Sequence, residues 1–158
     1  MPPPSEEVPI TIEGLADVKK QLDQLIKVRR PDIISKIKAA REHGDLSENF
    51  EYHSARNEQS FLETRIQELD AIVKNHVLIK SSGRHDRVEV LNTVSFEEAG
   101  SPLERYRIVG PAEADPGSGK ISYESAIGRA LMGHKVGDQV EVTTPNGSKY
   151  QIRITAIE

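Results

Sequence analysis

Asp45 and Glu48 stand three residues apart in the run Glu42-His43-Gly44-Asp45-Leu46-Ser47-Glu48, and Glu51 follows one helical turn later. Two neighbouring carboxylates offer the hard oxygen donors that suit Mg²⁺, an ion that keeps several waters and takes only one or two protein oxygens. The same pair has an ordinary structural use. Asp at a helix N-cap with Glu three positions on satisfies orphan backbone amides, and acids favour the positive end of the helix dipole. Pattern alone leaves both uses open. They conflict in geometry, because a carboxylate that caps amides has fewer lone pairs left for a metal.

Arg41 precedes this cluster and Arg56 follows it. Guanidinium groups on either side of an acidic turn could grip a phosphate backbone. Alternatively, Arg41 complements the C-terminal dipole of the preceding helix, and Arg56 pairs with Tyr52 or with acids opposite. Tyr52 itself falls at a packing position. His43, His53, His76, His85 and His134 show no metal-ligand spacing. The chain has no His-Glu-x-x-His, no glycine-rich phosphate loop and no Gly-x-Ser-x-Gly. It has no Cys, so disulfides and thiolate metal sites are excluded. A weaker candidate is Ser122-Tyr123-Glu124-Ser125-Ala126, between a predicted strand and a predicted helix, where Ser122, Glu124 and Ser125 could make partner contacts.

The elements that must position these residues are legible. From about Ile12 to Glu42 the spacing predicts a helix, with Leu15, Leu22, Leu25, Ile26, Ile33, Ile37 and Ala40 along one stripe. Pro31 lacks an amide and crowds the preceding turn, which predicts a kink or short break at Arg30-Pro31. A second helix is predicted from about Ser47 to His76, with Tyr52, Ala55, Gln59, Leu62, Ile66, Leu69, Val73 and His76 forming a heptad seam. A seam this narrow needs a partner helix, and the first segment supplies it. Gly44 can take the left-handed conformation that ends a helix, so the connection is tight and the helices run antiparallel. Arms of about 30 residues at 1.5 Å rise per residue give a rod of roughly 45 Å, with the acidic pair at its end.

From about residue 77 onward the chain reads as β-rich. Strands are predicted at Arg87–Phe96, Arg105–Val109, Val140–Thr144 and Tyr150–Ile157, with Asn146-Gly147 as a hairpin turn between the last two. Ser125–Met132 predicts one short helix, and Ala112–Lys120 a loop. The fold class is therefore α+β: a long N-terminal antiparallel coiled-coil hairpin, then a β-rich domain with one short helix. Three parts are expected: residues 1–9 as a flexible or extended Pro-rich tail, 10–78 as the coiled coil and 79–158 as the globular domain.

Composition fits this division. Hydrophobic residues make up 36% of the 158 residues and aromatics only 4%, which is thin for one large core and normal for a long hairpin beside a small domain. The net charge of −4 divides as −2 over residues 1–10, zero over 11–80 and −2 over 81–158. No segment carries the net positive field that non-specific nucleic-acid binding needs. No apolar run approaches membrane-span length, and the start lacks a signal pattern, so a soluble, cytoplasmic protein with no membrane association is expected.

The residues Ala40-Arg-Glu-His-Gly-Asp-Leu-Ser-Glu-Asn49, followed by Glu51-Tyr-His and Ala55-Arg56, resemble the signature of GreA-type transcription elongation factors. Val28-Arg-Arg-Pro31, Tyr106-Arg-Ile-Val-Gly110, Glu113-Ala-Asp115 and Gly133-His-Lys-Val-Gly-Asp138 reinforce the resemblance, which extends over nearly the whole chain. It implies a coiled coil followed by an FKBP-like domain. That domain would dock at the rim of the RNA polymerase secondary channel while the coiled coil reaches the active centre. The factor would not itself be an enzyme. In a backtracked complex it would stimulate the polymerase's own hydrolysis of the extruded transcript. Asp45 and Glu48 would complete the coordination of the second catalytic Mg²⁺, held jointly with polymerase and not by the free protein. Arg41 and Arg56 would contact the 3′ end of the nascent RNA, and the chain would act as a monomer. Ser122, Glu124 and Ser125 would belong to the polymerase-contacting loop, where the family usually has Pro at the position of Ala126.

Three other readings compete. One is a secondary-channel inhibitor of the same shape. Another is a passive coiled-coil adaptor, for which the tip acids are only caps. The third is a peptidyl-prolyl isomerase or chaperone, for which Phe96, Tyr106, Tyr123 and Tyr150 offer few aromatics to line a proline pocket.

Overall fold

The structure, a computed structural model, describes residues 6–44 and 49–158. It divides into a helical unit, residues 15–76, and a β-rich unit made of residues 77–158 together with 7–14.

In the helical unit, α1 (Ile12–Gln24) runs into a π-helical turn at Leu25–Arg29 and continues as α2 (Arg30–Arg41). The expected break at Arg30-Pro31 is instead this wider turn immediately upstream. Gln24, Arg29 and Arg30 all keep right-handed helical dihedrals, and the Arg30 amide donates to the Leu25 carbonyl. Proline in a regular helix lacks a donor and clashes with the carbonyl four residues back. A π turn is where helices commonly accommodate such a conflict. It also changes which residues face inward. Leu22, Ile26 and Ile33 would share a face in a regular helix, yet Ile26 is 38% exposed and Leu25 packs inward in its place. Eight residues separate Leu25 from Ile33, one more than a heptad, and the π turn absorbs the extra one.

Helix α3 (Phe50–Asn75) packs against α2. Ile33 and Ile37 of α2 form one buried cluster with Ala55, Leu62 and Ile66 of α3, flanked by Leu22, Leu25 and Tyr52. The pairing is antiparallel. Arg30 grips Glu63 through two hydrogen bonds of 2.8 and 2.9 Å, Lys36 meets Glu58 at 3.3 Å, and Asn49 reaches Ala40. The Glu63 carboxylate holds the Arg30 guanidinium more firmly protonated than usual, chiefly through the hydrogen bond. The two ion pairs keep much of their side-chain surface in solvent, where such pairs add little to stability. Burying each aliphatic side chain of the seam is worth about 1.5–3 kcal/mol. The seam holds the hairpin; the charges select its register.

The β-rich unit holds a five-stranded sheet in the order β5-β4-β3-β7-β6: β3 (Thr93–Glu98), β4 (Glu104–Val109), β5 (Lys120–Ser122), β6 (Gln139–Thr143) and β7 (Lys149–Ile157). All neighbours are antiparallel except β4 and β5. Val140 and Val142 of β6 point inward while Gln139, Glu141 and Thr143 face solvent. They join Phe96, Ile108, Ile152, Ile154 and Leu131 in the core. Leu131 comes from the short helix α4 (Ala126–Leu131). The α+β architecture is the expected one. Two details differ. The strand predicted from Arg87 begins only at Thr93, because Leu91 takes a φ of 79° and the Glu89 amide donates to the Asn92 side chain, forming a turn. The predicted loop 112–120 contains two short 3₁₀ turns and runs into β5.

Of the tail expected over residues 1–9, residues 1–5 lie outside the described residues and the last two belong to a strand. Val8–Ile10 forms strand β1, which pairs with β2 (His76–Leu78). Immediately after it, Thr11 is 2% exposed. Its amide donates to Glu113 at 2.7 Å, its hydroxyl also donates to Glu113, and it caps α1 by accepting from the Gly14 amide at 3.0 Å. A Cβ on Gly14 would lie 2.4 Å from the Glu113 carboxylate. Glu113→Ala should therefore cost about 1.5–3 kcal/mol, the range for hydrogen bonds to a charged group. Gly14→Ala should destabilise as well, despite the better helix propensity of Ala. Because both changes break the same link, the double variant should be little worse than either alone. Urea unfolding of the full chain reads all three, and simple additivity would show that the link is not shared.

Candidate functional site

The Asp45 and Glu48 carboxylates lie outside the described residues. The two helix ends that carry them are described in detail. Helix α2 stops at Arg41, His43 donates its amide to the Ala40 carbonyl at 3.2 Å, and Gly44 follows with a φ of +121°. Only glycine adopts that backbone without strain, as the sequence implied.

On the other side, α3 starts at Phe50 and not near Ser47. Its cap is Asn49, whose extended backbone (φ −88°, ψ 99°) lets the side-chain oxygen accept from the Tyr52 amide at 3.1 Å. The same side chain donates from Nδ2 to the Ala40 carbonyl at 2.6 Å. The N-cap position that the sequence pattern offered to Asp45 is thus taken by Asn49, and Asp45 and Glu48 themselves lie outside the described residues. Asp45, Ser47 and Asn49 are all good cap residues. Asn49 also has a second partner on α2, which pattern reading cannot see.

The two arginines are brought together. Arg41 and Arg56 line one groove of about 480 Å³, with Ile34, Ile37, Lys38, Glu42 and Gln59. The Arg41 guanidinium sits 5.9 Å from the centre of the Tyr52 ring, within reach of a cation–π attraction. Arg56 donates to Gln59 at 3.3 Å and not to Tyr52, so Arg41 takes the tyrosine that the sequence offered to Arg56. Among the described residues that line it, three cations stand against one carboxylate, a local excess of positive charge inside a segment of zero net charge. Such a surface suits a phosphodiester. A second groove, on α2 and α3 beside Ala39 and Ala55, includes Phe50, which is 89% exposed.

Among the described residues no group of three His, Cys, Asp or Glu side chains could hold a metal ion, and no helix is long and apolar enough to cross a membrane.

Family models match the chain in two blocks. Residues 8–77 match "Transcription elongation factor, N-terminal", and residues 83–158 match "Transcription elongation factor, GreA/GreB, C-term". The chain belongs to the GreA/GreB family of transcription elongation factors. Transcription elongation factor GreA of Macrococcus caseolyticus is 46% identical over 153 residues, covering 96% of this chain and 97% of that one. GreA of Staphylococcus carnosus is 42% identical over 154 residues, covering 97% and 96%. The crystal structure of GreA factor homolog 1 (Gfh1) of Thermus thermophilus aligns with a TM-score of 0.45 and 28% identity, covering 97% of this chain and 99% of that one.

The loop singled out in the β-rich unit of this family member divides by role. Ser122 is 9% exposed, and its hydroxyl accepts from the Glu124 amide at 2.9 Å. Ser125 caps α4, accepting from the Gly128 amide at 3.1 Å and donating to the Ser122 carbonyl at 2.6 Å. Gly128 is held so close that a Cβ there would lie 2.1 Å from the Ser122 carbonyl oxygen. Both hydroxyls therefore serve the loop itself, and Glu124 is the exposed member of the three. Ala126 occupies the first helical position, where proline is equally at home. Ser125→Ala should cost about 0.5–2 kcal/mol through the lost cap. Glu124→Gln should stay within about 0.5 kcal/mol of the parent. Denaturant unfolding separates the two, and equal effects would refute this division.

Proposed function

We propose that this chain stimulates the endonucleolytic cleavage of nascent RNA by backtracked or arrested RNA polymerase, acting in the cytoplasm as an accessory factor and not as the catalyst. The hairpin enters the polymerase secondary channel, and the β-rich unit docks at its rim. The observation that carries this reading is the Asn49 cap. Asn49 takes the N-cap position of α3, its side-chain oxygen accepting from the Tyr52 amide, so that position does not fall to Asp45.

The donor set fits Mg²⁺. Two carboxylates meet the preference of that ion for hard oxygen ligands, but they are too few to complete an octahedral shell. The remaining ligands must come from water and from polymerase, so the ion is shared and the free chain holds none tightly. When bound, such an ion supplies Lewis acidity and lowers the pKa of its water. The chain's own contributions are positional. Asp45 and Glu48 supply oxygens to the second metal position, and one of them can accept a hydrogen bond from the attacking water. Arg41 and Arg56 hold phosphates of the extruded RNA in the groove they share. Raising the occupancy of a weakly held site tenfold needs only about 1.4 kcal/mol, which one well-placed carboxylate can supply.

The test is transcript shortening in stalled, backtracked complexes. The parent chain should shorten the RNA, and Asp45→Asn combined with Glu48→Gln should abolish that effect while still competing with the parent for polymerase. Normal stimulation by the double variant would end the metal role. Absence of stimulation by the parent chain, with elongation blocked, would point to an inhibitor.

A further inference from the structure

The geometry points to Asn146 as a site of spontaneous covalent modification, its carboxamide being converted to a carboxylate through attack by the Gly147 backbone nitrogen. Asn146 is the one asparagine in the sequence that precedes a glycine; the others precede Phe50, Glu58, His76 and Thr93. Asn146 and Gly147 lie in the turn between β6 and β7, and residues 145–149 are all exposed. A Cβ built on Gly147 would meet nothing within 4 Å, so no neighbour crowds the residue that attacks.

Two donors converge on the carboxamide oxygen that gains charge in this attack. The Ser148 amide donates to Asn146 Oδ1 at 3.1 Å, and the Thr144 hydroxyl donates to the same atom. A hydroxyl has a single proton, which Thr144 shares between Asn146 Oδ1 and the Ser148 carbonyl 3.1 Å away. Negative charge building on Oδ1 draws that proton toward it. Donors already aimed at a developing oxyanion lower the barrier to forming it. The hairpin closure holds both donors in place: the Thr144 amide donates to the Ser148 carbonyl at 2.8 Å, and the Gly147 amide to the Thr144 carbonyl at 2.9 Å. The last of these bonds must open before Gly147 can attack, and an exposed turn opens it locally without unfolding the sheet.

The reaction needs only hydroxide and water. Hydroxide takes the Gly147 amide proton, the nitrogen bonds to Asn146 Cγ, and the Cγ–Nδ2 bond breaks as ammonia leaves with a proton from water. Water then adds across either carbonyl–nitrogen bond of the cyclic imide. One opening gives aspartate, which keeps the oxygen that accepts from the Ser148 amide. The other gives isoaspartate, which puts an extra methylene into the main chain of the turn. That turn sets the pairing of Val142 with Tyr150 and of Val140 with Ile152, so the second product strains the edge of the sheet. The fold itself imposes the pairing of Asn with Gly. Gly147 takes a φ of 87°, which any side chain would strain, and Asn146 supplies the acceptor for the Ser148 amide.

Mass spectrometry of the full chain, incubated folded in mildly alkaline buffer, tests this. The peptide holding Asn146 should gain the mass of an amide-to-acid conversion and split into two isomeric acids, faster as pH rises and well ahead of the peptide holding Asn57. Asn146→Asp supplies the standard for one of the two acids. Folded Thr144→Val should react about 2–10-fold more slowly, the worth of one net hydrogen bond, and Thr144→Ser should restore the parent rate. In concentrated urea, where the turn is lost, the three chains should react alike. Absence of the acid at Asn146 in the folded parent overturns the site. The role of the donors is overturned if folded Thr144→Val reacts as fast as the parent, if it is slowed equally in urea, or if Thr144→Ser is as slow.

Discussion

The apolar seam between α2 and α3 is the constraint on which the rest of the helical unit depends. Two antiparallel helices have little reason to stay together in water unless they bury a continuous stripe. Ile33, Ile37, Ala55, Leu62 and Ile66 supply that stripe, and Leu69 is buried further along α3. Every feature of the tip is downstream of it. Arg41 and Arg56 line one groove because the seam sets their helices side by side in antiparallel register. Ala40 meets Asn49 for the same reason. The ion pairs along the flanks are exposed, and they discriminate between registers more than they contribute to association.

The zero net charge of residues 11–80 has meaning in this setting. A uniformly basic hairpin would bind any nucleic acid it met. Here acids and bases alternate along the flanks, and positive charge is concentrated in one groove. On the function proposed above, any affinity for RNA would be local and would depend on where a partner presents the strand. That suits a factor whose selectivity comes from shape and position.

Much of this was legible in the residues. The heptad seam of α3 could be read because its apolar positions repeat over many turns, and four of the eight are buried as the spacing demands. Gly44 and the Asn146-Gly147 turn were legible because backbone geometry admits few residues there; Gly147 takes a φ of 87°. Strands β1 and β5 were not. Three residues cannot establish a period of two, and each depends on a partner remote in sequence. The start of α3 was misplaced because three good cap residues fall within five positions, and the spacing alone does not say that Asn49 takes the N-cap while also reaching Ala40. The intraloop contacts of Ser122 and Ser125 were not legible either, because hydroxyls in loops often face partners, whereas here Ser122 accepts from the Glu124 amide and Ser125 caps α4.

The π-helical turn at Leu25–Arg29 separates the length of the first arm from its facing. A regular helix cannot gain or lose a residue without rotating everything beyond by about 100°. A segment already holding one surplus residue can surrender it and become regular, leaving Ile33, Ile37 and Ala40 in phase with α3. The arm therefore contains a built-in slack point. Across homologues, single-residue deletions in the first arm would be tolerated there and rejected nearer the tip, where no such reserve exists between Ile33 and Arg41.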